Sequence, residues 1–416
     1  MPIITKPRGT IDYYGRQEAL LSKIRSISLN RAHLYGCSDI ELPMFEENRL
    51  FHRTVGESSD IVTKETFDLA KKGDKDYTLR PEFTASVSRA VIENKLYVSP
   101  DRPLRLCYFG PVFRYERPQA GRLRQFNQYG VEFIDTKIDL DASLDAFLLS
   151  LRSAEAILGH KVKAKLNYLG SFASRENYKK ALYAYFQPKI NERCDDCKRR
   201  LETNPLRILD CKVEADQAIA SKAPRIGDYL NEEDQAEKQS ILNTLDSLGI
   251  EYEVDSELVR GLDYYTGLVW EIYDTGNSSV GAIGGGGKYS SLREQIGGPK
   301  REGIGFSLGV ERVLLSLTED RRNELVPGNN VSVFRIDLRR NGLALKIADQ
   351  LRKDGFSVSI ASFGKGRGGC FKRADRLGAK KVLILDSDQT LKIKDRSTRE
   401  QVEVKEEEVV SLLEKR

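Results

Sequence analysis

The sequence predicts an α+β protein with three parts: a strand-rich part, a helical insertion and a separate α/β domain. Two strands, roughly 104–116 and 124–134, are joined by a short polar loop, which is typical of an antiparallel pair. Charged helical segments dominate residues 171–250. After a turn-rich linker at 325–330, strand-like and helix-like segments alternate, which indicates a compact α/β unit at 331–416.

Length and composition favour a soluble protein of two or three domains. The chain has 416 residues, of which 40% are hydrophobic and 31% are charged. It has no apolar run near the roughly 18 residues that span a bilayer, and its first residues lack the apolar stretch of a signal peptide. We therefore expect a cytoplasmic protein with no membrane partner. A net charge of +5 permits a nucleic-acid partner without requiring one.

Polar side chains share one face of the predicted strand pair. Because side chains alternate along a strand, Arg114 and Glu116 share a face of the first strand, and Gln128, Gly130 and Glu132 share a face of the second. The glycine is expected to leave room above the sheet. Charged groups are costly to bury in a core, so this face is either a solvated hairpin surface or a site for an anionic ligand with a cationic part.

Three segments carry a family resemblance. Phe113–Gln119, followed by Arg124–Phe126, resembles motif 2 of the class II aminoacyl-tRNA synthetases in the form found in histidyl-tRNA synthetases. Gly303–Leu315 resembles motif 3, and Leu258–Tyr265 resembles a signature particular to the histidyl enzymes. A predicted helix at 15–35, followed by a strand at 39–42 that ends at a proline, resembles the less specific motif 1, which builds the dimer interface in the family.

The resemblance implies a fold and an activity. It implies a class II antiparallel catalytic sheet flanked by helices in residues 1–325, with a helical insertion at about 171–250, and an α/β anticodon-binding domain at 331–416. It implies a homodimeric histidine–tRNA ligase that uses ATP, with Mg²⁺, to convert L-histidine to histidyl-adenylate and release pyrophosphate. Histidine then passes to the 3′ end of tRNA(His).

The resemblance also implies roles for individual residues. Arg114 and Arg260 are the expected catalytic residues, because arginines stay charged and bind phosphate and carboxylate groups in a fork. The expected ATP-binding residues are Arg114, Glu116, Arg122 and Arg312. The expected histidine-binding residues are Glu82, Thr84, Arg114, Gln128, Glu132, Arg260, Tyr264 and Tyr265. Arg117 and Gln119, in the loop between the strands, are the expected tRNA-binding residues.

Two segments near this site allow more than one interpretation. Glu82 is either the partner of an ammonium group or a helix-start carboxylate. Phe83 stands where many bacterial members have glycine, and it either narrows the pocket or packs beneath it. The segment 284–289 fails the Walker A pattern, because Ala282 and Tyr289 occupy its required glycine and hydroxyl positions. It resembles the family segment that forms the pocket floor, with a flexible turn as the alternative.

The six cysteines are not a disulfide framework. Cys194, Cys197 and Cys211 could hold zinc if a fourth ligand came from elsewhere in the chain. However, no second CxxC pair follows, and the three histidines lie far away in sequence. Free thiols are therefore the favoured interpretation, and no metal site is predicted.

A regulatory protein is the alternative function. The regulatory subunit of ATP phosphoribosyltransferase resembles a histidyl-tRNA synthetase core without the C-terminal domain, and it senses histidine without aminoacylation. Arg114, Arg260, Arg312 and the additional domain at 331–416 argue against this alternative. Within that domain, the basic stretch Lys365–Arg373 is either an RNA contact or a solvated surface.

Overall fold

A computed structural model describes most of the chain. The described residues are 3–55, 64–71, 73–209, 211, 213–259, 264–326, 333–337, 341–360, 367–385 and 390–414. They divide into two units, which we describe separately. One unit comprises Leu21–Leu317 with the residues up to Tyr13, and the other comprises Tyr14–Leu20 with Thr318–Arg416.

The helices and strands up to residue 316 alternate irregularly along the chain. In order they are α1 Arg16–Leu34, β1 Ser38–Asp39, β2 Phe45–Glu47, α2 Asn48–Val55, β3 Phe67–Asp68, β4 Tyr77–Leu79, α3 Thr84–Glu93, β5 Leu104–Phe113, β6 Gln125–Asp135, α4 Leu140–Leu158, β7 Val162–Tyr168, α5 Phe172–Phe186, α6 Asp195–Thr203, α7 Glu214–Ala220, α8 Glu232–Ser247, β8 Tyr252–Val254, β9 Tyr265–Asp274, β10 Ala282–Tyr289, α9 Leu292–Gln295, β11 Glu302–Gly309 and α10 Val310–Ser316. Within the described residues, no helix combines the length and apolar character needed to cross a membrane.

The first unit is built on an eight-stranded sheet in the order β1-β5-β6-β11-β10-β9-β7-β8. The inner strands are all antiparallel, and only the edge pairs β1–β5 and β7–β8 are parallel. Helix α4 packs across the sheet, where Ser150 Oγ accepts a 3.0 Å hydrogen bond from Trp270 Nε1. The Phe147 ring meets Trp270 edge to face at 5.4 Å. This buried face leaves the other face free to carry a site.

The strand predicted at 39–42 is observed only as the two-residue β1. Beyond Ile40, whose backbone N–H still donates to Cys107 O, the chain turns away from the sheet. The buried Arg80 explains this departure, because its Nη1 donates to the carbonyl oxygens of Leu42 and Pro43 at 2.7 and 3.1 Å. A side chain from another part of the chain thus takes the acceptors that a strand neighbour would use.

Helices α5 to α8 form the segment predicted to be helical. Asp234 joins the starts of two of these helices, because its carboxylate accepts hydrogen bonds from the backbone N–H and hydroxyl of Ser171 and from the Ser174 hydroxyl. Ser171 also caps α5 through its side chain. The buried carboxylate therefore holds the starts of these two helices together.

The second unit contains the C-terminal α/β fold. Its elements are α11 Glu319–Leu325, β12 Val333–Asp337, α12 Asn341–Lys353, β13 Val358–Ile360, α13 Arg367–Arg376, β14 Lys381–Leu385, β15 Leu391–Asp395, β16 Gln401–Val404 and α14 Val409–Glu414. The sheet order is β13-β12-β14-β15-β16, with β13, β12 and β14 parallel. Alternate residues of β14 pack on opposite faces, since Leu383 joins the α12 and α14 side and Val382 joins the α13 side.

Candidate active site

A cavity of about 200 Å³ opens on the middle strands of the eight-stranded sheet. It brings together ten of the residues predicted from sequence: Glu82, Thr84, Arg114, Glu116, Arg122, Gln128, Glu132, Tyr264, Tyr265 and Arg312. Arg117 and Gln119 are exposed residues of the loop between β5 and β6 and are not part of the lining. Arg260 lies outside the described residues.

Glu132, on β6, is the most enclosed carboxylate of this cavity, with 1% of its surface exposed. Thr84 Oγ1 and the Tyr289 hydroxyl each donate to it at 2.7 Å, and the Tyr108 hydroxyl donates at 3.3 Å. Burial raises the pKa of Glu132 to about 7, although the hydrogen bonds from Tyr289 and Thr84 act in the opposite direction. This carboxylate is therefore fixed in position and titrates near neutral pH.

The raised pKa of Glu132 predicts a stability difference that depends on pH. The folded protein binds this proton more tightly than the unfolded chain, so the resulting stability is complete below about pH 4.5 and is lost as the pH rises through about 7. Glu132→Gln mimics the protonated form at every pH. We expect this variant to match the wild type near pH 4.5 and to exceed its free energy of unfolding by about 3 kcal/mol above pH 7.

Urea unfolding of both proteins from pH 4.5 to 8 measures this difference in the free energy of unfolding. The contributions of the other carboxylates cancel, because both proteins contain them. Glu302→Gln is the matched control, because Glu302 is a partly buried carboxylate paired with Lys288 at 3.2 Å. Parallel stability profiles for wild type and Glu132→Gln would contradict the raised pKa.

Two glycines allow this arrangement to pack against the sheet. The predicted room above Gly130 is filled by Tyr108, because a Cβ atom at Gly130 would lie 2.3 Å from the Tyr108 hydroxyl oxygen. On the neighbouring strand β11, a Cβ atom at Gly305 would lie 2.0 Å from Glu132 Oε2. Both distances are shorter than any non-bonded contact, so a side chain at either position would displace these site residues.

Glu82 is a helix-start carboxylate that also lines the cavity. Its carboxylate accepts hydrogen bonds from the backbone N–H groups of Thr84 and Ala85 at 2.6 and 2.8 Å. Burial raises its pKa, while these hydrogen bonds and the charge of Arg114 oppose the increase. Phe83 packs beneath the pocket and does not narrow it, because its 2% exposed ring stacks on Tyr108 at 4.2 Å.

Arginines supply the positive charge of the cavity. Arg114 Nε donates to Pro81 O at 2.9 Å, and Arg312 Nη1 donates to Ala282 O at 2.6 Å. These bonds to neutral carbonyl oxygens orient both guanidinium groups without cancelling their charge. Burial lowers the pKa of Arg312, and the nearby Arg122 adds to this effect. An anionic ligand would relieve the repulsion among these cations.

Glu311 positions the helix that carries Arg312. Its carboxylate accepts hydrogen bonds from the Asn127 backbone N–H at 2.9 Å, from Asn127 Nδ2 at 3.0 Å and from the Tyr13 hydroxyl at 2.9 Å. These contacts join the start of β6 to the start of α10. Because these donors already hold it, we assign Glu311 to positioning the site.

The glycine-rich segment forms strand β10 and not a flexible turn, although its pairing with β9 shifts register at Ala282/Gly284 and at Gly287/Lys288. Gly284 and Gly285 line the cavity, which agrees with a floor segment. Lys288 is not a phosphate ligand here, because its buried Nζ donates to Ile138 O at 2.9 Å and pairs with Glu302 at 3.2 Å. A Cβ atom at Gly284 would lie 2.4 Å from Leu308 Cδ2 and 2.6 Å from Ser307 O, so a side chain there would disturb the packing of β10 against β11.

Comparison with known proteins identifies the family to which this chain belongs. A family model described as "Histidyl-tRNA synthetase" matches residues 9–313, well over half of the chain. The chain belongs to the histidyl-tRNA synthetase family. A second model, described as "Anticodon binding domain", matches residues 328–416. The predicted family and the predicted α+β fold class are therefore confirmed.

Full-length relatives agree with this assignment. The "Histidine--tRNA ligase" of Bacillus velezensis is 41% identical over 418 residues, which cover 98% of this chain and 97% of the relative. The crystal structure of apo S. aureus histidyl-tRNA synthetase superposes with a TM-score of 0.81 at 33% identity, covering 99% of this chain and 100% of that one. A structure titled "ATP phosphoribosyltransferase regulatory subunit/histidyl-tRNA synthetase" from Bacillus halodurans gives a TM-score of 0.67 at 21% identity over 92% of this chain, which shows the fold alone.

Two tyrosines that line the cavity of this histidyl-tRNA synthetase were given no individual binding role from the sequence. Tyr108 and Tyr289 both donate to Glu132, and burial raises the pKa of each well above its ordinary value, so both remain neutral donors. The alternation of side chains along the predicted strand already placed Tyr108 on the same face as Arg114, so the sequence contained a signal for this residue. Tyr289 meets Tyr264 at 5.5 Å across the site, a contact that sequence spacing does not reveal.

Proposed function

We propose that this member of the histidyl-tRNA synthetase family activates L-histidine with ATP and transfers it to tRNA(His). One observation carries the proposal: a single cavity joins two buried carboxylates, Glu82 and Glu132, to the arginines Arg114, Arg122 and Arg312. The ammonium group of an amino acid complements the charge of the carboxylates, and a polyphosphate complements the charge of the arginines. The relatives named histidine–tRNA ligase support the same activity and disfavour the regulatory alternative.

The residues around the two buried carboxylates suit L-histidine. Glu82, with Thr84 and Gln128, offers acceptors for the substrate ammonium group. Glu132 accepts from one imidazole N–H, and the Tyr265 hydroxyl serves the other ring nitrogen, with Tyr264 beside it. A site that satisfies both ring nitrogens rejects apolar amino acids of similar size, because binding them would leave buried polar groups unpaired.

The arginines suit the phosphate chemistry. A histidine carboxylate oxygen attacks the α-phosphorus of ATP, the bond to the β-phosphate breaks, and pyrophosphate leaves. Arg114, Arg122 and Arg312 neutralise negative charge on the reactants and in the transition state without having to reorganise. Arg260 is assigned a contact with the α-phosphate and the histidine carboxylate on the basis of its signature. Glu116 and Glu271 in the cavity offer the hard oxygen ligands that suit Mg²⁺ entering with ATP.

ATP–pyrophosphate exchange, measured with histidine and a panel of other amino acids, tests this function. Exchange with histidine alone is the expected result. Histidine binding without any exchange would overturn the enzymatic proposal and favour the regulatory alternative. Exchange with another amino acid would overturn the assigned specificity.

Residues 1–325 are assigned to catalysis, and residues 331–416 to anticodon binding. Helix α13 supplies part of the predicted basic stretch, although residues 361–366 lie outside the described residues. We place the enzyme in the cytoplasm as a homodimer joined through the α1 region. Sedimentation equilibrium of the full chain tests the dimer, for which a monomer at micromolar concentration would be the contrary result.

Gln119 is expected to act on tRNA and not on the first half-reaction. Its exposed side chain lies at the turn where Gln119 and Arg122 exchange backbone hydrogen bonds of 3.0 and 2.9 Å. We expect Gln119→Ala to lower charging of tRNA(His) by about tenfold, the effect of one lost hydrogen bond, while pyrophosphate exchange stays near wild type. Gln239→Ala, an exposed glutamine on α8, is the control. Equal losses in both assays would contradict the assignment.

A further inference from the structure

Three of the six cysteines meet one aspartate in the helical insertion. Cys194, Cys197, Cys211 and Asp216 each place a possible ligand atom within 4.8 Å of all the others. Cys194 stands just before the first turn of α6, Cys197 lies within that turn, and Asp216 lies in the first turn of α7. Cys194 is half-buried, and the other three are buried. The sequence pattern offered no clear fourth ligand, which argued against a metal. Asp216 offers that fourth ligand in the structure.

Two distances within this cluster match the edges of a tetrahedral site. Cys194 Sγ lies 3.8 Å from Cys211 Sγ, and Cys211 Sγ lies 3.4 Å from Asp216 Oδ2. Zinc bonds of about 2.3 Å to sulfur and about 2.0–2.2 Å to oxygen give tetrahedral edges of roughly 3.8 Å between two sulfurs and roughly 3.5 Å between sulfur and oxygen. These two edges already have the required spacing, and all four ligand atoms lie within 4.8 Å of one another, close enough to surround one ion.

A neighbouring arginine orients the aspartate toward the thiols. Arg193 Nη1 donates to Asp216 Oδ1 at 3.1 Å, and both side chains are almost fully buried. The Cys194 backbone N–H donates to Oδ2 at 3.2 Å and holds that oxygen beside the sulfurs. Such outer contacts fix ligand orientation in metal sites. Arg193 would also offset part of the negative charge of three thiolates and one carboxylate around a divalent ion.

We propose that Cys194, Cys197, Cys211 and Asp216 bind one structural Zn²⁺ ion. The competing interpretation is an Arg193–Asp216 ion pair with three neutral thiols nearby. That pair requires only the aspartate, and it does not account for three sulfurs that converge around a single carboxylate. Four protein ligands leave no open coordination position, so the ion has a structural role. It joins the starts of α6 and α7, which are short helices of nine and seven residues.

Zinc content of the full chain, purified without chelators, is the first test. We expect about one zinc ion per chain in the wild type and less than a tenth of that in Cys197→Ser and Cys211→Ser. Cys370→Ser, which removes a buried thiol from the C-terminal domain, should keep the wild-type content. Wild-type protein that neither contains zinc nor takes it up at micromolar concentration would overturn the proposal.

Cobalt substitution of the wild type provides a readout that does not depend on variants that could misfold. Co²⁺ bound at this site should show the intense visible bands of tetrahedral coordination and the near-ultraviolet charge-transfer absorption of three thiolate ligands. In Asp216→Cys that absorption should rise by about a third while one metal ion per chain remains bound. An octahedral cobalt spectrum, or a disulfide among Cys194, Cys197 and Cys211 in the wild-type protein purified without reductant, would overturn the proposal.

Discussion

Replacing Arg114 with alanine is expected to slow histidine-dependent ATP–pyrophosphate exchange by about 10²- to 10³-fold, the usual effect of removing one preorganised group that stabilises developing charge. The Arg114 guanidinium is aimed by its bond to Pro81 O and by the Phe126 ring, whose centroid lies 5.4 Å away. Neither contact neutralises it. The loss should therefore appear mainly in kcat, with a smaller change in KM for histidine.

Two further variants separate charge from geometry at this position. Arg114→Lys keeps the charge but lacks the planar fork, so it should recover only part of the activity. Arg49→Ala, at an exposed arginine paired with Glu47, should keep wild-type exchange. Unchanged exchange in Arg114→Ala with wild-type thermal stability would remove Arg114 from the mechanism.

Glu132→Gln is expected to combine greater stability at neutral pH with a severe loss of histidine activation. The amide keeps the shape of the side chain but removes the negative acceptor for the imidazole N–H. A hydrogen bond to a charged group contributes about 1.5–3 kcal/mol, so kcat/KM for histidine should fall roughly 10- to 150-fold. Calorimetric titration should show the same loss of histidine affinity, while ATP affinity changes little.

The two effects of Glu132→Gln together distinguish this interpretation from a damaged fold. A variant that is both less stable and less active would indicate general disruption. A variant that binds histidine as tightly as the wild type would show that Glu132 does not contact the imidazole ring. The interpretation requires that Glu132→Gln be more stable than the wild type and bind histidine weakly. That result would show that burial of the Glu132 carboxylate lowers stability and serves to recognise histidine.

Sequence patterns predicted much of this site because its main parts are local. The parity of residues along β5 and β6 placed Arg114, Glu116, Gln128 and Glu132 on one surface, and the cavity contains all four. The segment around Arg312 was predicted as a site from its resemblance to motif 3. Arg260 stays a prediction, because it lies outside the described residues.

Features that depend on contacts between distant segments could not be predicted in the same way. The end of β1 is set by Arg80, almost forty residues later, and the room expected above Gly130 is filled by Tyr108. Asp216 meets the cysteines only after two helices and their connection are in place. Periodicity reports which face of an element a residue occupies, but not which residue from another element meets it.

The tight contact between Gly305 and Glu132 also bears on how such an enzyme can evolve. Even the smallest replacement at Gly305 adds a methyl group 2.0 Å from a carboxylate oxygen, so each single mutation there breaks the site before it can reshape it. The part of the pocket surface at Gly305 therefore cannot change gradually to suit a different amino acid. Drift toward another amino acid, or laboratory retargeting toward a histidine analogue, would have to begin in the walls, at Thr84 or Tyr264, where side chains can be exchanged without moving the sheet.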